Sequence, residues 1–160
     1  MKCKQYRGFT LIELLVVIAI IGVLSAVVLA SLNSARSKGN DAGVKANLAT
    51  VSTQAALYLS DNNNTYGTVS NGVCPTVAGT GNVFTNITIV SAISAALTDA
   101  GGSSTATCYA APTGYAVAVS RPADVATTTS TYWCVDNTGE RCGVNTAITG
   151  PSCGTCITRQ

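Results

Sequence analysis

Lys4-Gln5-Tyr6-Arg7-Gly8-Phe9-Thr10-Leu11-Ile12-Glu13 leads into the longest apolar run of the chain, which carries no charge from Leu14 to Leu32. Nineteen such residues suffice to cross a bilayer as a helix. Lys2, Lys4 and Arg7 precede the run, so the positive-inside rule keeps the first residues cytoplasmic and sends the remainder out. An ordinary secretory signal is the first alternative, because Val28-Leu29-Ala30 places small or apolar residues where a signal peptidase cuts. The length of the run and the carboxylate of Glu13 at its start argue against that alternative.

Helical periodicity continues past the apolar run. Val44, Leu48, Val51, Ala55 and Tyr58 recur at spacings of four and three, one apolar stripe. Lys38, Asp41, Lys45, Asn47 and Gln54 lie off that stripe and read as a polar, solvent-facing side. Phe9 to about Ser60 is therefore expected to form one helix, roughly 78 Å at 1.5 Å per residue. Its first half is apolar all round, and its amphipathic second half should lie against a globular head. Asp61-Asn62-Asn63-Asn64-Thr65-Tyr66-Gly67 stops it with turn formers.

The front of the chain resembles the class III signal of type IV pilins and their pseudopilin relatives, through Gly8, Phe9, Thr10, Leu11, Ile12, Glu13, Leu14 and Leu15. The resemblance implies that a prepilin peptidase cuts between Gly8 and Phe9 and methylates the new amino group of Phe9. It also implies filament assembly through Phe9 and Glu13, the carboxylate of one subunit pairing with the amine of a neighbour. Many members carry a proline in the first half of the helix. Here Ala30 stands in that neighbourhood, so any melting on assembly would have to start at Gly22.

Composition narrows the function classes. The net charge of +2 includes the three leader bases; without them six bases face seven acids. No clustered basic face is left for nucleic acid, so no nucleic-acid partner is expected. Histidine is absent, which removes Ser-His-Asp and Cys-His catalysis and histidine metal sites. The chain reads as a non-enzyme with no cofactor and no metal. Cys3 belongs to the leader, leaving Cys74, Cys108, Cys134, Cys142, Cys153 and Cys156, a set suited to an oxidising compartment and up to three disulfides.

Beyond the helix, residues 68–81 read as a loop and Ile87 to Ala100 as a second helix closed by Gly101-Gly102. Three strands are expected: Ala106 to Ala110, Tyr115 to Ser120 after a Pro112-Thr113-Gly114 turn, and Thr131 to Asp136 after a Thr-rich loop. The tail from Asn137 is rich in glycine and cysteine and weakly periodic. The fold class is α+β, a long N-terminal helical spine on a small antiparallel sheet, as in pilins. The expected organisation is a leader at 1–8, a transmembrane or filament-core segment at 9–33, and a head at 34–160 that includes the amphipathic half of the helix.

Three motifs admit rival readings. Thr10-x-x-Glu13 fits a capping box, which is compatible with a pairing role for Glu13 at the edge of a membrane span. Cys153-Gly154-Thr155-Cys156 is a C-x-x-C outside any βαβ pattern, and a zinc site with Cys134 and Cys142 has only one closely spaced pair. A disulfide scheme follows instead. A hairpin turning at Asn137-Thr138-Gly139 would set Cys134 opposite Cys142, Cys153 and Cys156 would pair locally, and Cys74 would join Cys108. Asn63-Asn64-Thr65 and Asn86-Ile87-Thr88 fit the N-glycosylation pattern.

The reading is a structural subunit, anchored in the inner membrane by a single pass with its head outside, then assembled into a pilus or periplasmic filament. Its partners would be other pilin subunits, a prepilin peptidase, and the assembly machinery of a pilus or type II secretion system. The alternatives are a membrane-anchored binding module that never polymerises and a secretion-system pseudopilin. No Asp/Glu cluster suited to calcium stands in the C-terminal loops, which disfavours the major pseudopilin. Major against minor pilin, and adhesion, motility, DNA uptake or secretion, are not written in the chain.

Overall fold

The computed structural model describes residues 8–102, 105–122 and 130–159. Lys2, Cys3, Lys4 and Arg7, expected to belong to a leader, and the Thr-rich stretch at 123–129 lie outside the described residues. The chain divides into two compact units, the first ending at Arg36 and the second beginning at Ser37.

Helix α1 runs from Leu11 to Asp61 and supplies residues to both units. In the first unit its apolar side chains are exposed on every face, from Leu11, Ile12 and Leu14 to Leu29 and Leu32. It is the one helix among the described residues long and apolar enough to cross a membrane.

In the second unit the expected stripe is the buried one: Val44, Leu48, Val51 and Ala55 are each at most 1% exposed, and Tyr58 packs at their edge. Against them lie the 3-10 turn Val83–Thr85, which buries Val83 and Phe84, and helix α2, Ile87–Asp99, which buries Ile89, Ala92, Ile93 and Ala96. Asn86 starts α2 by accepting hydrogen bonds from the Thr88 and Ile89 amides. Gly43 has a purpose beyond propensity: a Cβ there would lie 2.5 Å from the Asp99 carboxylate, which also accepts a 2.9 Å bond from Asn47. The two helices approach closely there because one residue lacks a side chain.

The sheet is a six-stranded antiparallel meander in sequence order: β1 Ser70–Val73, β2 Ala106–Ala111, β3 Gly114–Ser120, β4 Tyr132–Asp136, β5 Arg141–Val144 and β6 Thr158–Arg159. The three strands expected from alternation are β2, β3 and β4. Strand β1 lies in the segment read as a loop, and β5 and β6 in the weakly periodic tail. Ser-Asn-Gly-Val shows no apolar alternation, since as an edge strand it buries no face of its own. Gly67 anchors the start of this segment with φ +97° and bridges Asn82, whose backbone leaves no room for a Cβ.

Both faces of β3 are covered. Tyr115, Val117 and Val119 join the helices in one core, while Ala116 and Ala118 join Cys134, Cys142, Val144, Ile148 and Cys153 in a second core under the C-terminal tail. The alternating small residues on the second face leave room for the tail to lie close.

Disulfides fix that tail, and here the expected pairing is corrected. Cys74 joins Cys108 as expected, but Cys134 joins Cys153 and Cys142 joins Cys156. Cys134 and Cys142 are indeed opposite each other in the β4–β5 register. Directly opposed residues hold their Cβ atoms about 4.5–5.5 Å apart, wider than a disulfide favours, and both point to the same face. The tail crosses that face and brings one cysteine to each. All four sulfurs of the zinc alternative are thereby bonded. Glu140 lies beside Cys142 and Cys156, but a disulfide offers no thiolate to a metal.

Two stability predictions arise here. Cys74–Cys108 closes a separation of 34 residues, the longest of the three. Its removal by a Cys74→Ser/Cys108→Ser double substitution is expected to cost on the order of 3–4 kcal/mol, read from urea unfolding under oxidising conditions. Tyr115, edge-on to Tyr66 at 5.0 Å and to Phe84 at 6.0 Å, is buried, and burial pushes its hydroxyl up to about 12. A raised value favours the folded state while the phenol is neutral. That stability is complete below the unfolded value near 10 and is lost as pH rises through about 12. Tyr115→Phe should flatten the decline between pH 10 and 12, worth roughly 2–3 kcal/mol, as followed by denaturant titration at each pH.

Candidate functional site

The first site is the start of α1. Glu13 Oε2 accepts from the Thr10 amide and from Thr10 Oγ1, both at 2.8 Å, and the Glu13 amide donates to Thr10 Oγ1 at 3.3 Å. This reciprocal set is a capping box, with Thr10 as N-cap and Glu13 three residues on. It is the local reason that the helix begins at Leu11. The box uses one carboxylate oxygen; Oε1 has no partner among the described residues. Glu13 is therefore held in place by its own helix yet open to a cation from outside. Phe9 is 90% exposed, and a Cβ added at Gly8 would meet nothing within 4 Å among the described residues. In the uncleaved chain the Phe9 nitrogen is still a peptide amide, so the amine that would face Glu13 does not yet exist.

A second polar constellation lies in the other unit and was missed by the sequence reading. Asp41, expected on the solvent side of the helix, is only 6% exposed. Its Oδ1 accepts from Trp133 Nε1 at 2.8 Å and from Arg121 Nε at 3.0 Å, and its Oδ2 pairs with Lys45 at 3.0 Å. Arg121 also donates to Ser130 Oγ at 2.9 Å. Lys45 and Arg121 lie over the Trp133 ring, 4.2 and 5.0 Å from its centre. Burial works against the Asp41 carboxylate, but the hydrogen bonds from Arg121, Lys45 and Trp133 together hold it below the usual carboxylate range. Two signals could have revealed it. Lys45 follows Asp41 by four residues, and a tryptophan on a core strand needs a partner for its N–H.

A third carboxylate, Asp136, is 3% exposed and organises the tail. It accepts from the Thr138 amide and hydroxyl, from the Glu140 amide, and from the Cys153 amide 17 residues away. It sets the β4–β5 turn and seats the segment that carries Cys153. No nucleophile–base pair is formed by these groups; each contact gives a carboxylate, a cation or the indole N–H its partner.

Residues 3–29 match the prokaryotic N-terminal methylation motif. The chain is also similar to the type IV wide pilus major component PilA4 of Thermus thermophilus, 47% identical over 60 residues that make up 38% of this chain. The matched stretch spans 46% of that relative's length. No solved structure matches the chain.

Proposed function

We propose that this chain is a type IV pilin-like structural subunit, processed between Gly8 and Phe9, methylated at Phe9, and polymerised through its N-terminal helix. The observation that carries the reading is the apolar first part of α1, from Leu11 to Leu32, exposed on every face, whose one carboxylate, Glu13, keeps an oxygen open at the helix start. In a bilayer that surface is satisfied by lipid, and no hydrophobic force drives such helices together. Once the subunit leaves the bilayer, the same surface must be covered by other copies. Burial of each large apolar side chain then contributes about 1.5–3 kcal/mol to the polymer.

Processing supplies the cation. Cutting at Gly8 turns the Phe9 amide into an amine that stays charged after methylation, and a neighbour's Glu13 is its complement. Capping and pairing coexist, because the cap holds the carboxylate by one oxygen. The precursor would sit in the inner membrane with its head outside, where the disulfides form, and would depend on a prepilin peptidase and a pilus or secretion assembly system.

The expected result is a mature protein whose intact mass begins at N-methylated Phe9, recovered from sheared surface filaments. A mass beginning at Ser31 would establish an ordinary secretory signal. A mature chain confined to the membrane fraction would establish a lone anchored module.

A further inference from the structure

We infer that Asn63 is an N-glycan attachment site, and that the second matching tripeptide, Asn86-Ile87-Thr88, is not. The inference rests on the exported head of the proposed function, because lipid-linked sugars are transferred outside the cytoplasm.

The two tripeptides have the same pattern and opposite environments. Asn63 lies in the turn after α1, at φ 54°, followed by Asn64 at φ 58°. Asparagine tolerates this left-handed backbone better than other side-chain-bearing residues. Backbone bonds from the Asn64 amide to Leu59 and from the Thr65 amide to Asn62 pin the turn. The Asn63 side chain is exposed and has no hydrogen-bond partner among the described residues. Thr65 Oγ1 accepts from the Gly67 amide at 3.1 Å, which leaves its hydroxyl hydrogen free to donate. The preceding Asn62 lines an open groove of about 370 Å³ whose other walls are Tyr58, Ala78–Gly81 and Thr85–Ile87, none of them charged. A neutral sugar on the turn has hydroxyl, amide and aromatic surface beside it.

Asn86 is closed to the same chemistry. Its Oδ1 accepts from the Thr88 amide at 3.0 Å and the Ile89 amide at 3.4 Å as the N-cap of α2. Thr88 is already in the first turn of that helix. Presenting Asn86 to an enzyme would unwind a helix start whose next residues, Ile89 and Val90, are buried.

The reaction requires a polyprenyl-pyrophosphate-linked oligosaccharide. The Asn63 Nδ2 attacks the anomeric carbon, a C–N bond forms, and the C–O bond to the pyrophosphate breaks. The amide gives up one proton, and the lipid pyrophosphate leaves with the bonding pair. No oxidant or reductant is involved.

The test is peptide mass mapping of the full chain, purified from the cells that make it and cut at Tyr58 and Tyr66. The peptide containing Asn63 should carry a sugar mass. That mass should vanish in Asn63→Gln and in Thr65→Ala, and persist in Thr65→Ser and Asn86→Gln. The same digest reads the N-terminus. A chain beginning at Phe9 with a bare Asn63 would overturn this site while sustaining the filament reading, and the two asparagines would then be turn formers only. Sugar on Asn86 would overturn it as well. An intact leader together with a bare Asn63 would overturn both readings.

Discussion

Replacing Glu13 by valine is expected to bring the yield of ordered filaments to background while leaving the head folded and the leader cleaved. The hydrogen bonds of the Glu13 side chain go to Thr10 among the described residues, and Glu13 belongs to a different compact unit from the sheet and its disulfides. Cleavage should survive because Gly8 and Phe9 keep their exposure. Assembly should not survive, because every incoming subunit would bring an uncompensated amine into an apolar spine, and an unpaired charge there is costly. If capping were the sole role of Glu13, the substitution would only fray the first turn, since the Thr10 half of the box stays. Thr10→Ala is the complementary variant: it removes the cap but keeps the carboxylate, and filaments should still form. The readout is sheared filament mass and regularity after processing has been verified by intact mass.

The second large effect is expected at Asp41. Asp41→Ala removes one carboxylate and leaves the Trp133 N–H and the Arg121 guanidinium without their shared acceptor. Breaking a buried pair costs about 3–5 kcal/mol, and Arg121 retains its bond to Ser130, so the lower end applies. For a chain of this size that corresponds to a fall in melting temperature of roughly 10 °C. Asp41→Asn should lose less, because an amide oxygen still accepts from Trp133. The pH dependence has a definite sign. Asp41 is held below its ordinary value in the folded state, so its contribution is complete above the unfolded value near 3.8. It is lost as pH falls from there through the lowered folded value. Acid unfolding of the wild type should therefore be steeper below about pH 4 than that of Asp41→Asn.

Most of the fold is legible in the sequence because it rests on periodicity. The stripe Val44, Leu48, Val51, Ala55 is the buried face of α1, and the alternation of Tyr115, Val117 and Val119 gives β3 and its core side. The start of the helix is legible for the same local reason, a capping box within four residues. What escapes is whatever depends on distant partners. Asp41 looks like a surface acid until Arg121 and Trp133 arrive from 80 and 92 positions away. The tail is held by Cys153, Cys156 and the Asp136 carboxylate rather than by apolar repetition, so its short strand leaves no pattern to read. The cysteine pairing fails for a related reason. Strand register places Cys134 and Cys142 side by side correctly, and only the third segment crossing above them decides that they do not bond to each other.

A helical reconstruction of the sheared filament is the most direct measurement of the central claim. Residues 9–33 should lie packed in the filament interior, with the Glu13 carboxylate of each subunit within about 4 Å of a neighbour's methylated Phe9 amine. A filament in which that segment lies at the surface, or in which the nearest cation to Glu13 is its own subunit's amine, would contradict that claim.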